Sequence, residues 1–95
     1  MSKARHIDDA RRFTDLPNIG PAMAGDFVQL GLKQPQDLRG ADPLRLYRKL
    51  CKLTGQRQDP CVLDTFIAAV DFANGAAAKP WWAYTAERKR LHPDL

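Results

Sequence analysis

Leu16-Pro17-Asn18-Ile19-Gly20-Pro21-Ala22-Met23-Ala24-Gly25-Asp26-Phe27-Val28-Gln29-Leu30-Gly31-Leu32 is the stretch on which the fold of this chain turns. Pro17 cannot continue a helix arriving from upstream. Pro21 suits the first position of a new one, because its ring fixes a helical φ and a first-turn residue needs no amide hydrogen. Between them, Asn18 tolerates a left-handed conformation, Ile19 is the apolar residue that can tuck under a turn, and Gly20 is read as supplying an unusual dihedral and close backbone approach. A helix over Ala22 to Leu30 follows, with Phe27 and Leu30 facing inward and Gly31 as its left-handed stop.

Working outward, Ile7, Ala10 and Phe13 recur every three residues, which predicts a short helix from Ala4 to Thr14 ending at Pro17. Downstream, Pro35-Gln36-Asp37-Leu38-Arg39 reads as one helical turn that drops Leu38 into the core before Gly40. Asp42-Pro43 and Asp59-Pro60 each pair an N-cap with a first-turn proline. The first opens a helix to about Leu53 with Leu44, Tyr47, Leu50 and Cys51 on one face; the second opens the longest helix, to about Asn74, striped by Leu63, Phe66, Ile67, Val70 and Ala73. After Ala76-Ala77-Ala78-Lys79, Pro80 begins a last short helix with Trp81, Trp82 and Tyr84, and His92-Pro93-Asp94-Leu95 is expected to fray. No segment carries a strand pattern, so the fold class is all-α, with about five short helices: one domain over 1–75 and a Trp-containing extension over 76–95 packed on it.

A chain of 95 residues, 44% hydrophobic and 27% charged, is an ordinary globular composition that needs no metal or disulfide framework to fold. Cys51 and Cys61 lie inside apolar helical patterns and read as reduced thiols. No apolar run reaches the roughly 18 residues of a membrane span, and the charged Met1 to Asp9 stretch is no signal peptide, so a cytoplasmic protein without membrane contact is expected. The positive charge is uneven: six Lys and Arg face three Asp over residues 16–55, and one faces three over 56–75. It gathers around the hairpin stretch, as a polyanionic partner would require.

Residues 16–32 resemble a helix-hairpin-helix motif of the SAM-like bundle class. The resemblance implies a turn whose backbone amides point outward at a helix N-terminus, where the helix dipole also favours an anion. Asn18, Ile19, Gly20, Ala22 and Met23 would then hold a phosphate, with Lys33 and Arg39 as nearby cations. Such contacts read sugar-phosphate and no base edge, so binding would be sequence-independent. Asn18 departs from the glycine common at the first hairpin position. The helices over 43–53 and 60–74 would be a degenerate second unit, its loop longer and without Ile-Gly-Pro. Over nearly its full length, through Leu16 to Pro21, Leu38-Arg39-Gly40, Asp42-Pro43, Leu53-Thr54-Gly55, Asp59-Pro60-Cys61 and Pro80-Trp81-Trp82, the chain also resembles the bacterial pathogenicity locus family. Its hairpin half is similar to the C-terminal domain of competence regulators of the TfoX type, which points towards DNA.

Arg45, Arg48, Lys49 and Lys52 fall at i, i+3, i+4 and i+7 on one helix, either as a phosphate track or as a solvated face. Trp81 and Trp82 either fasten the extension or serve base stacking or a protein partner. Cys61, at a helix start, is either a reactive thiol or a small buried hydrophobe. No nucleophile, metal-ligand or cofactor pattern emerges, so a non-enzymatic nucleic-acid backbone binder, with DNA as partner, is the leading expectation. A protein-interaction domain acting through the Trp81/Trp82 surface is the alternative.

Overall fold

The computed structural model describes residues 3–95, so Met1 and Ser2 of the charged N-terminal stretch lie outside the described residues. The described residues form four α-helices and no strand: α1 (Pro21–Gln29), α2 (Pro43–Thr54), α3 (Pro60–Ala73) and α4 (Thr85–Leu91), joined by 3-10 turns at Ile7–Asp9, Phe13–Asp15, Pro35–Leu38 and Trp81–Tyr84. Each helix predicted from a proline opening is present. The Asp42 carboxylate accepts from the amides of Leu44 and Arg45, and Asp59 accepts from the amide of Cys61, so both Asp-Pro pairs cap as their chemistry dictates.

The helix expected over Ala4 to Thr14 does not form; two single 3-10 turns stand in its place. Local side chains compete for the amides that a helix would need. His6 Nδ1 accepts from the amide of Asp8, and one Asp15 carboxylate oxygen accepts from the amides of both Arg11 and Arg12 at 3.0 Å. These bonds hold the Asp15 carboxyl below the usual carboxylate range. Ala10 and Arg12 are extended as a result. The apolar residues still face inward, because the Gln36 amide nitrogen donates to the carbonyls of Ile7 and Ala10 and ties the segment to the Pro35–Leu38 turn.

Helix α3 is the centre of the molecule. Its predicted stripe is buried except for Ile67, which is half-buried, and Asp64, Thr65, Ala68, Ala69 and Phe72 are buried as well. A column of rings, Phe13, Phe27 and Phe66, runs from the turn before the hairpin through α1 to α3, with centroids 5.3 and 5.2 Å apart. Leu16 and Ile19 are fully buried beside it.

The remaining side of α3 is closed by the C-terminal segment. Arg88, itself buried, donates from Nε to Asp64 Oδ1 at 2.8 Å, and the Thr85 hydroxyl donates to Asp64 Oδ2 at 2.8 Å. The buried Tyr84 hydroxyl donates to Asp71 at 2.6 Å. Burial and this hydrogen bond to a carboxylate push the Tyr84 phenol well above its ordinary value. The acidic residues of α3 are therefore sockets for the extension. Residues 92–95, expected to fray, are instead held. The Leu95 amide donates to the His92 carbonyl, Arg57 donates to the Asp94 carbonyl, and Leu95 packs against the core.

Removing Arg88 leaves the Asp64 carboxylate buried without its cation, so Arg88→Ala is expected to cost about 3–5 kcal/mol in urea unfolding, whereas Asp64→Leu with Arg88→Met should recover most of it. Tyr84 adds a pH dependence. Its folded pKa lies above the unfolded value of about 10, so its contribution is full below that pH and declines above it as the unfolded chain loses the phenolic proton. Tyr84→Phe should flatten the alkaline fall in a pH series of thermal melts.

Candidate nucleic-acid interface

The hairpin is a five-residue bend, Leu16 to Gly20, between the Phe13–Asp15 turn and α1. Its one left-handed non-glycine residue is Asn18, at φ 69°, as the sequence suggested. Gly20 is different from expectation. It is extended at φ −96° and ψ −177°, a conformation open to any residue, so no unusual dihedral is needed there. What Gly20 does provide is room: an added Cβ would meet nothing within 4 Å. The dihedral demand falls on Asn18 because it sits at the bend, while Gly20 has already turned into α1 as its N-cap.

Hydrogen bonding within α1 begins with the Ala24 amide, which donates to the Gly20 carbonyl at 3.0 Å. The amides of Ala22 and Met23 precede that first bond, and no side chain caps the helix. Pro21 and Ala22 are exposed. On the bend itself, at the residue before the Gly20 N-cap, is a cation that sequence reasoning missed: Lys3 Nζ donates to the carbonyls of Thr14 and Ile19 at 2.6 and 2.7 Å. Lys3 is 16 residues from Ile19 in the chain, and nothing in the sequence near it signals the contact. On the other flank, the Asn18 amide nitrogen donates to the Lys79 carbonyl at 2.8 Å, which joins the hairpin to the extension.

The other predicted cations divide. Lys33 lies beyond the C-terminal end of α1 and shares a groove with Arg11 and Arg12 along the exposed face of that helix. Arg39 is committed to structure. It ion-pairs with Asp8 at the surface and donates from Nε to the Ala73 carbonyl, so its guanidinium is engaged within the chain. Arg45, Arg48, Lys49 and Lys52 do share one face of α2. Lys49, however, donates to the carbonyl of Leu30, the C-cap of α1. The α2 stripe thus stands at the opposite end of α1 from the hairpin amides.

Trp81 is half-buried and meets Trp82 edge to face at 5.6 Å; Trp82 is 64% exposed. The extension is fastened by Tyr84 and Arg88 more than by its tryptophans. The Cys61 thiol is pushed up by burial and by the adjoining Asp59 carboxylate. No described helix is long and apolar enough to cross a membrane.

Comparison with known proteins adds two findings. The family model described as "Pathogenicity locus" matches residues 6–90. A protein named mitomycin resistance protein McrB, from Streptomyces lavendulae, is 47% identical over 83 residues, covering 87% of this chain and 79% of that protein. No solved structure matches.

The division of the cations is open to a direct check. Arg39→Ala is expected to lower stability by about 1 kcal/mol through loss of its bonds to Asp8 and Ala73, whereas Arg45→Ala with Arg48→Ala should leave the thermal midpoint nearly unchanged.

Proposed function

The chain belongs to the pathogenicity locus family, and within it we propose that the hairpin end of this chain binds the nucleic-acid backbone, DNA in the first instance, without reading sequence. The observation that carries the reading is a contrast within the molecule. Helices α2 and α3 open on Asp-Pro and are capped by the aspartate, whereas α1 opens on Gly20-Pro21 and leaves its first amides uncapped, with the Lys3 ammonium on the Ile19 carbonyl just before them. Donors, dipole and cation all favour an anion at this point, and Gly20 leaves the approach clear.

On this reading residues 13–29 are a helix-hairpin-helix unit whose first helix has shrunk to the Phe13–Asp15 turn, and α2 with α3 is the degenerate partner. Asn18, Ile19 and Gly20 shape the turn, the Ala22 and Met23 amides hold the phosphate, and Lys3 supplies charge. The chain acts as a binding module in the cytoplasm, with no catalytic step. The relative's name, mitomycin resistance, specifies a phenotype and no ligand, so the proposal stands on the hairpin geometry.

A second reading, docking of a protein through the extension, is favoured by the exposed Trp82. The two separate on one variant. Gly20→Asp gives α1 the aspartate cap that α2 and α3 have, so stability should hold or rise by a few tenths of a kcal/mol while the carboxylate occupies the phosphate's donors. Wild-type affinity for duplex DNA should fall with salt at a log–log slope of about −3 to −5, as for three to five phosphate contacts, with little dependence on sequence. Gly20→Asp should lose most of that affinity. Unchanged DNA binding in a folded Gly20→Asp protein rejects the hairpin, and a Trp82→Ala variant that loses a partner then favours protein docking.

A further inference from the structure

Along the exposed face of α1, beginning one residue beyond the uncapped amides, runs a groove of about 420 Å³ between the helix and the chain on either side of it. Three cations line it, Arg11, Arg12 and Lys33, and no carboxylate does. Among the described residues the Arg11 side chain has no hydrogen-bonding or ion-pairing partner, and Lys33 makes neither a side-chain hydrogen bond nor a close ion pair, although the nearby Asp37 carboxylate attracts it. The floor is apolar, formed by the edge of Phe13, the backbone of Gly25 and Val28, which is 62% exposed.

Gly25 is the telling residue. It lies in the middle of a nine-residue helix, where glycine is unfavourable, yet its φ is not left-handed and an added Cβ would meet nothing within 4 Å. Neither packing nor backbone conformation within this chain calls for glycine. Its effect is to leave the groove floor flat.

An apolar lining edged by three cations suits a planar group that carries an anion. We propose that this groove receives an unpaired nucleobase of a strand whose phosphate sits at the α1 N-terminus, so that the chain prefers single-stranded or locally unpaired nucleic acid over intact duplex. The inference deepens the hairpin reading and rests on it. A base entering the groove leaves the polar environment of its strand for contact with Val28 and the Arg11 guanidinium plane, the kind of stacking that holds single strands without regard to sequence. In a duplex the base is already stacked and cannot enter without being pulled from its pair.

The test uses the full chain with a 2-aminopurine-labelled oligonucleotide, single-stranded and as its matched duplex, at one salt concentration. The wild type should bind the single strand about tenfold more tightly and change the 2-aminopurine emission on binding, since each stacked base is worth one such factor or more. Gly25→Leu improves helix propensity and fills the groove, so it should fold, keep duplex affinity and lose the single-strand preference to within about twofold. Gly20→Asp should weaken both. Equal single-strand and duplex affinity in the wild type, or an unchanged preference in folded Gly25→Leu, overturns the groove and leaves the hairpin reading standing. Loss of preference in Gly25→Leu with intact duplex binding in Gly20→Asp keeps the groove and rejects the hairpin. Displacement of the single strand by an acidic peptide, but not by unlabelled oligonucleotide, assigns the groove to a protein and overturns the proposal.

Discussion

A carboxylate in the middle of the longest helix sets the terms for everything around it. Asp64 is fully buried in α3, and a charge there is tolerable only with a cation and hydrogen bonds supplied by the same fold. Arg88 and Thr85 supply them from α4, and the Tyr84–Asp71 bond repeats the arrangement nearly two turns further along α3. Because the pair is worthless unless both halves are seated, it fixes the register of the extension on α3. That register in turn sets where Lys79 passes, and the Lys79 carbonyl is what holds the Asn18 side chain. The left-handed bend of the hairpin is thus braced by a segment whose position depends on a salt bridge across the molecule.

This chain of dependence accounts for a rigid hairpin that lacks a first helix. The Phe13–Asp15 turn is too short to stiffen the bend by its own hydrogen bonds. Ring packing from Phe13 through Phe27 to Phe66 and the burial of Leu16 and Ile19 do so instead. Lys3 completes the brace by bridging two carbonyls across the bend. In that position its ammonium serves twice, satisfying backbone acceptors and raising the positive potential where α1 begins. Side chains that could have capped α1 are absent, so rigidity is obtained without closing the helix N-terminus.

What could be read from the sequence, and what could not, follows the range of the interactions involved. Asp42-Pro43 and Asp59-Pro60 marked α2 and α3 correctly because capping is decided within three residues. Pro21 marked α1 for the same reason, and Leu38 was recognisable as a core residue from its single turn. The Ala4 to Thr14 periodicity misled, because the three-residue recurrence of Ile7, Ala10 and Phe13 is equally compatible with successive 3-10 turns, and Asp15 tipped the balance by taking two amides. The acidic balance over residues 56–75 was visible, but the partner of Asp64 lies 24 residues away and no local pattern joins them. For the candidate site, the bend at Asn18 was legible from its local chemistry, whereas the placement of the cations was not. Arg39 was close in sequence and is used elsewhere, whereas Lys3 was remote and is in contact.

The net charge of +4 is consequently not one surface. Part of it is spent internally, by Arg88 on Asp64 and by Arg39 on Asp8. Of the rest, Lys3 stands at the hairpin, Arg11, Arg12 and Lys33 line the α1 groove, and Arg45, Arg48, Lys49 and Lys52 form the α2 stripe. Helix α1 has nine residues and so spans about 13 Å, with the hairpin amides at one end and Lys49 at the other. That exceeds the Debye length of about 8 Å at physiological ionic strength. A phosphate at the hairpin therefore feels Lys3 strongly and the α2 stripe weakly. Under the proposed function, the stripe would raise the rate at which a polyanion is captured, but would strengthen the bound complex only if the same strand ran the length of α1 and reached it. The groove of Arg11, Arg12 and Lys33 lies along that path, which makes the exposed face of α1 the surface on which the separate groups of charge could act on one ligand.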